Sequence, residues 1–203
     1  MTTISIIGSG NMATAIGTRA AQHGHTVELL SRNTAKAQAL ADRIGSQATV
    51  GTFGARPAGE IVFVAVLYTG VVDAVSTYGD ALAGKILVDI SNSFNADASG
   101  LVTPSSAAQE MADAAPDSAH VVKALNTIFG HVLAKGTPLD AFLAGDSAEA
   151  KATLGAFLES VELRPLDVGG LPAAALLESA GLLLMGLARN GAGFELALSA
   201  QAH

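Results

Sequence analysis

Gly8-Ser9-Gly10-Asn11-Met12-Ala13 spaces its small residues as G-x-G-x-x-A, directly after the apolar run TISII at 3–7 and before a helical pattern that starts at Asn11. The chemistry such an arrangement serves is anion binding. Gly8 permits the tight turn from strand to helix, Gly10 lets a pyrophosphate approach the backbone, and Ala13 lets the helix pack close to the strand. Free N–H groups and the positive end of the helix dipole then face the phosphates. A glycine turn without a ligand is the plainer alternative. The position of the motif at the head of a βαβ pattern favours a dinucleotide.

The second group of residues bears on which dinucleotide. An acidic side chain about 20 residues after the glycines usually holds the ribose 2′-hydroxyl of NAD. Glu28 stands near that spacing, but the run TVELL at 26–30 continues past it, so the end of the strand is Ser31-Arg32-Asn33. Glu28 is then expected as a polar residue on a strand edge. Ser31 offers a hydroxyl, Arg32 a planar fork for phosphate oxygens and a face for adenine, and Lys36, one helical turn on, a point charge. The triplet, Asn33 included, and Lys36 suit a 2′-phosphate, so the reading is NADP(H) rather than NAD(H). Asn33 or Thr34 is the expected cap of the following helix.

Elsewhere the chain is sparing with catalytic groups. His23 and His25 flank Gly24 at a helix end, His120 precedes a strand, and His203 lies at the C-terminus; no metal site is expected from them. His131 stands in a loop suited to a substrate contact. Lys123, inside VVKAL, is open to two readings, a crevice residue or a solvent-facing strand lysine. Glu178, alone in an apolar helix, is open to three: an acceptor contact, a cap on a dimer interface, or a partly exposed helix residue. Tyr68 is either a cofactor-side aromatic or a packing residue. Hydride transfer between flat rings needs positioning and exclusion of water more than acid–base groups, so this inventory is compatible with it.

The elements that must position these residues alternate. Strand-like runs fall at 3–7, 26–30, 47–50, 60–67, 85–90, 121–125, 139–144 and 162–168. Helical segments fall at 11–23, 34–44, from 70 to about 78, 105–114, 148–160 and 173–187, with a short tail helix to Ala200 and loops at 92–104 and 126–136. The pattern predicts an α/β, doubly wound Rossmann-type fold with a mainly parallel sheet, extra C-terminal strands and a short helical C-terminal segment. The division expected is a dinucleotide-binding domain over 1–168 and a helical segment over 169–203 packed on the same body.

Composition sets the class. Of 203 residues, 50% are hydrophobic and 14% are charged, against roughly 25% charged in ordinary domains. That excludes a disordered chain. The net charge of −7 argues against nucleic acid and against an anionic membrane surface as partners. The absence of cysteine excludes disulfides, thiolate metal sites and cysteine nucleophiles. Met1 leads straight into a strand-like run, without a basic segment or a cleavage-type site, and the apolar stretch 171–187 is interrupted by Glu178 and Ser179. The expectation is a cytoplasmic protein. Leu176, Leu177, Leu182, Leu183, Leu184 and Met185 put apolar residues on nearly every face of the 173–187 helix, so it is expected to be buried all round, in a homodimer.

The chain resembles the NADPH-dependent reductases of the deazaflavin coenzyme (factor 420), with the reductase domains of the ferric-reducing STEAP proteins as more distant relatives. GSGNMA at 8–13, SRN at 31–33, VAVLY at 64–68, DISN at 89–92, VVKALNTI at 121–128 and LRPLDVGGL at 163–171 carry the resemblance over nearly the whole chain. It implies that Ser9, Asn11 and Met12 complete the pyrophosphate loop and that Val66, Leu67 and Tyr68 border the cofactor. It further implies that Asn92 lies on the nicotinamide side and that Asn126, Thr127 and Ile128 sit where the nicotinamide meets the second substrate. Gly169 and Gly170 would wall the acceptor pocket. The archetypal deazaflavin reductases carry a His where this chain has Asn126, and His131 is out of register with it, so the acceptor is a deazaflavin, a flavin or a similar flat molecule. Two further readings stand beside this one. GNMATAI also resembles the opening of pyrroline-5-carboxylate reductases, which reduce a cyclic imine, and a non-catalytic NADPH-binding or sensing module needs no acid–base set.

Overall fold

A computed structural model describes residues 1–201; the last two residues of the predicted 169–203 segment, among them His203, lie outside the described residues. In chain order the elements are β1 (Thr3–Ile7), α1 (Asn11–Gln22), β2 (Thr26–Leu30), α2 (Thr34–Ile44), β3 (Ala48–Val50), β4 (Ile61–Val64), α3 (Val71–Tyr78) and β5 (Ile86–Asp89). They continue with α4 (Ala107–Ala114), β6 (His120–Lys123), α5 (Gly130–Leu133), β7 (Leu139–Leu143), α6 (Ala148–Ser160), β8 (Leu163–Asp167) and α7 (Ala174–Leu187).

Six strands form one parallel sheet in the order β3-β2-β1-β4-β5-β6. This is the doubly wound arrangement read from the sequence. The order reverses between β1 and β4, and such a switch point leaves a crevice at the carboxyl ends of the strands. The central strands carry apolar residues on both faces because helices cover both, and β4 and β5 are buried along their whole length. Strands β7 and β8 pair in parallel with each other and join the main sheet at an isolated bridge between Lys123 and Ala144.

The described elements correct the expectations in three places. Strand β2 is not an edge: it lies between β1 and β3, and Glu28 turns inward to accept hydrogen bonds from Ser5 Oγ at 2.6 Å and the Ala58 N–H at 2.8 Å. The loop 126–136 contains the short helix α5. No tail helix reaches Ala200. Helix α7 runs into a wider turn at Ala188–Ala192, where Asn190 and Gly191 leave helical dihedrals, and Ala197 beyond it bridges to Ile128 in antiparallel fashion.

Within a single chain, α7 is covered on one side. Its inner face, Ala174, Leu177, Glu178, Gly181 and Leu184, packs on the body. Its outer face does not: Leu176 is 70% and Leu183 60% exposed, and Leu187 is exposed too. One chain covers one face only. The segment Leu171–Ala192 is long and apolar enough to cross a membrane by length and composition, yet its inner face carries a buried carboxylate paired within the fold, as a core helix does.

Candidate functional site

The site begins where β1 stops. Gly8 has φ of +130°, and a Cβ there would come within 2.2 Å of the Ala65 carbonyl oxygen, so the turn that carries the chain from β1 past β4 into α1 demands glycine. Gly10 is the N-cap of α1 and offers no side chain to the helix; a Cβ at Gly10 would meet nothing within 4 Å. The first N–H groups of α1 therefore face open space, with no acidic residue in the first turn to compete for them. Ala13 is fully buried against the sheet.

At the end of β2, Ser31 Oγ lies 3.2 Å from Ser9 Oγ and accepts from the Asn33 N–H at 3.1 Å. Asn33 caps α2, accepting from the Lys36 N–H at 3.0 Å, so its side chain is committed to the helix. Arg32 is exposed and sits over the ring of Phe53, 5.9 Å from its centroid. Phe53 is held edge-on by Tyr78. Phe53 carries no signal in the sequence, since an aromatic in an irregular stretch announces nothing until the fold puts it under Arg32. Lys36 is exposed on the first turn of α2. Glu28, held by Ser5 and Ala58, has its carboxylate tied away from this end.

A cleft of about 460 Å³ runs along the carboxyl edge, lined by Gly10, Asn11, Met12, Ala65, Val66, Leu67, Tyr68, Ile90, Ser91, Asn92 and Phe94. It brings the glycine loop together with the turn after β4 and the segment after β5. Leu67 stands almost free at the lip. Tyr68 donates its hydroxyl to Glu110 Oε1 on α4 at 3.0 Å, and burial together with that carboxylate pushes the phenol above its ordinary pKa. A second hollow, of about 390 Å³ between α6 and β8, lies apart from these motifs.

Asn92, on the wall of the cleft, and Asn126, buried behind it, clasp one another. Asn92 donates to the Asn126 carbonyl at 3.0 Å; Asn126 donates to Asn92 Oδ1 at 2.9 Å and to the Leu177 carbonyl at 2.8 Å. Asn126 Oδ1 is buried with no partner. Leu125, just before it, is held at φ of +58°, a strained value for a leucine. Helix α7 comes so close here that a Cβ on Gly181 would lie 2.7 Å from Asn92 Oδ1. Thr127 and Ile128, expected beside Asn126, are buried behind it.

The remaining candidates lie off the cleft. His131, on α5, stacks on Phe129 and its Nε2 hydrogen-bonds the Phe194 carbonyl at 2.9 Å, turned toward the C-terminal tail. Gly169 and Gly170 stand at the end of β8 among Lys151, Asp167 and Asp146. Glu178 and Lys123 are both fully buried, so neither a solvent-facing lysine nor a partly exposed glutamate is found. Lys123 Nζ lies 2.7 Å from Asp89 Oδ2 and 2.7 Å from Glu178 Oε1. The signal in the sequence was three lone charges, each inside an apolar run, whose signs pair. Among the described residues, no three His, Asp or Glu gather as a metal-binding group.

The sheet order, with the glycine turn opening on the cleft, defines a Rossmann-type fold. Residues 3–93 match the family described as NADP oxidoreductase, coenzyme F420-dependent. Rat (Rattus norvegicus) metalloreductase STEAP3 is 32% identical over 186 residues, 90% of this chain and 37% of that protein. The chain thus spans little more than a third of the length of that curated relative. A provisionally assigned F420-dependent NADP reductase from Arthrobacter sp. FB24 superposes with a TM-score of 0.85 at 22% identity, over 98% of this chain and 100% of that one. An imine reductase from Streptomyces aurantiacus superposes with a TM-score of 0.69 at 21% identity, over 93% of this chain and 63% of that one. At these identities the two structures share the fold.

Proposed function

We propose that the protein transfers hydride between NADPH and a flat redox acceptor, a deazaflavin (factor 420) or a flavin, within the cleft at the carboxyl edge of the sheet. The observation that carries this reading is the uncapped start of α1 opening into the cleft, with Ser31 and Arg32 at the neighbouring strand end. Free N–H groups suit the pyrophosphate, and a guanidinium with a serine hydroxyl suits the 2′-phosphate. The residues present fit the cofactor on these grounds.

NADPH, when bound, supplies the hydride; the protein's part is to hold, orient and exclude water. Gly10, Asn11 and Met12 would take the pyrophosphate, Ser31, Arg32 and Lys36 the adenine-side phosphate, and Asn92 with Asn126 the nicotinamide end. Val66, Leu67 and Tyr68 would form the wall after β4. Among the described residues that line the cleft, no two titratable side chains pair with each other, which agrees with a reaction that moves hydride between rings. The acceptor would approach from the open side of the cleft, beside Leu67 and Phe94.

The reading extends to assembly and setting. Leu176, Ala180, Leu183 and Leu187 fall on one outer stripe of α7, and a second copy of the chain covering that stripe gives a homodimer in the cytoplasm. The test of function is direct. Tight NADPH binding with turnover of a deazaflavin or flavin supports it. Turnover of a pyrroline substrate instead assigns imine reduction, and tight binding with no turnover on deazaflavin, flavin, ferric chelate or pyrroline leaves a binding module.

A further inference from the structure

Lys123 ends β6 with its ammonium wholly inside the protein, and its three donors are all spent. It donates to Asp89 Oδ2 at 2.7 Å, to the Ser91 carbonyl at 2.6 Å and to Glu178 Oε1 at 2.7 Å. The carboxylates are satisfied in turn by backbone and hydroxyl groups. Asp89 Oδ1 accepts from the Ser91 N–H at 2.9 Å and from Ser91 Oγ at 2.7 Å. Glu178 Oε2 accepts from the Ser93 N–H at 3.1 Å and from the Ser93 hydroxyl, and Oε1 accepts from the N–H of Ala107, the first residue of α4, at 2.8 Å.

The segment 91–93 is thereby gripped on both sides of Asn92. Ser91 is fixed by Asp89 and Lys123, Ser93 by Glu178, and Asn92 is left to meet Asn126 at the cleft. A buried ion pair is weak evidence for stability, because desolvating the charges offsets most of their attraction. What this network does specify is the path of the backbone. All of its contacts with the segment after β5 converge on the two residues that flank Asn92.

We infer that Lys123, through Asp89 and Glu178, is the positioning residue that shapes segment 91–93 to receive the nicotinamide half of the cofactor. The inference rests on the proposed use of NADPH. The half is identified by topology. The glycine loop and Arg32 follow β1 and β2, whereas Ser91 and Asn92 follow β5 on the other side of the switch point. With the pyrophosphate at α1 between them, the two halves of the dinucleotide fall to opposite sides.

The experiment compares NADPH with adenosine 2′,5′-bisphosphate, which carries the adenine-side phosphates and no nicotinamide, on wild type, Lys123→Met and Glu178→Gln. Lys123→Met leaves two carboxylates in the core without their cation and is the variant at risk of unfolding. Glu178→Gln keeps the shape and leaves one cation against one carboxylate, while its amide no longer accepts at both Ser93 donors. In variants that melt cooperatively, NADPH should bind about tenfold more weakly or worse, and adenosine 2′,5′-bisphosphate within about twofold of wild type. Equal weakening of both ligands, no weakening of either, or failure of both variants to fold marks the network as structural and overturns the positioning role. A wild-type protein that binds neither ligand fails at the earlier step, the use of NADPH itself.

Discussion

Asn92 and Asn126 are bonded reciprocally, side-chain amide to side-chain oxygen one way and side-chain amide to backbone carbonyl the other, at the wall of the cleft. The pair joins the segment after β5 to the segment after β6, and through the Leu177 carbonyl it reaches α7. Asn126 spends both N–H groups on this work. Asn126→Asp replaces the donating nitrogen with an oxygen that faces Asn92 Oδ1 and the Leu177 carbonyl, whereas Asn126→Ala only removes it. Leaving a buried polar group unsatisfied costs about 1–3 kcal/mol. Thermal melting should therefore rank wild type above Asn126→Ala and Asn126→Asp lowest. An Asn126→Asp protein that melts with the wild type would show that the clasp does not exist in solution.

Arg32 is held over Phe53 and extends the strand end that Ser31 also serves. Arg32→Asp removes the fork and places a carboxylate where the 2′-phosphate is expected. Bidentate Arg–phosphate contacts are among the strong ones. NADPH should weaken by about two orders of magnitude, roughly 2.8 kcal/mol, and NADH by far less. Equal losses in parallel titrations would assign Arg32 a structural role.

The sheet and the glycine loop were legible because their signals are local. TISII, EIVFV and ILVD are apolar runs bounded by turn residues, and GSGNMA sits between a strand and a helix. The resemblance also singled out Asn126. The network behind it was not legible. Lys123 and Glu178 stand 55 residues apart, and one charge inside an apolar run does not reveal its partner. The composition of α7 fits burial on every side; the body beneath it reaches one face, and the other is left for the homodimer that the composition led us to expect. The tail after Ala188 was read as helix from its alanines and leucines, and Asn190 with Gly191 breaks it.

The outer stripe of α7 makes a prediction that composition alone could not. Leu183 is 60% exposed, so Leu183→Glu should shift the stability of a monomer by no more than about 0.5 kcal/mol. If a second copy covers the stripe, each buried leucine there contributes roughly 1.5–3 kcal/mol, and the glutamate abolishes association. Sedimentation should show a wild-type dimer at micromolar concentration and a Leu183→Glu monomer. A monomeric wild type would remove the dimer from the proposal.

The last prediction concerns pH and lies far from the cleft. His25 is buried where the start of β2 meets the end of α6. Its Nδ1 accepts from the Thr2 N–H at 3.1 Å. Its Nε2 lies 2.9 Å from Ser160 Oγ, which itself donates to the Phe157 carbonyl at 2.6 Å. The hydroxyl proton is thus spent, and Nε2 must carry the hydrogen, so the ring is neutral with its one lone pair occupied. Burial first, and nearby positive charge second, lower its pKa below 6.5. A base whose pKa is depressed by folding takes up protons more readily when unfolded. The contribution of neutral His25 is therefore complete above pH 6.5, the unfolded value, and is lost as pH falls from there through the folded value. The melting temperature of the wild type should drop over that window. His25→Gln, which has no proton to gain, should start lower at pH 7.5 and lose less on acidification. Parallel pH profiles for the two proteins would mean that His25 is not the group that titrates.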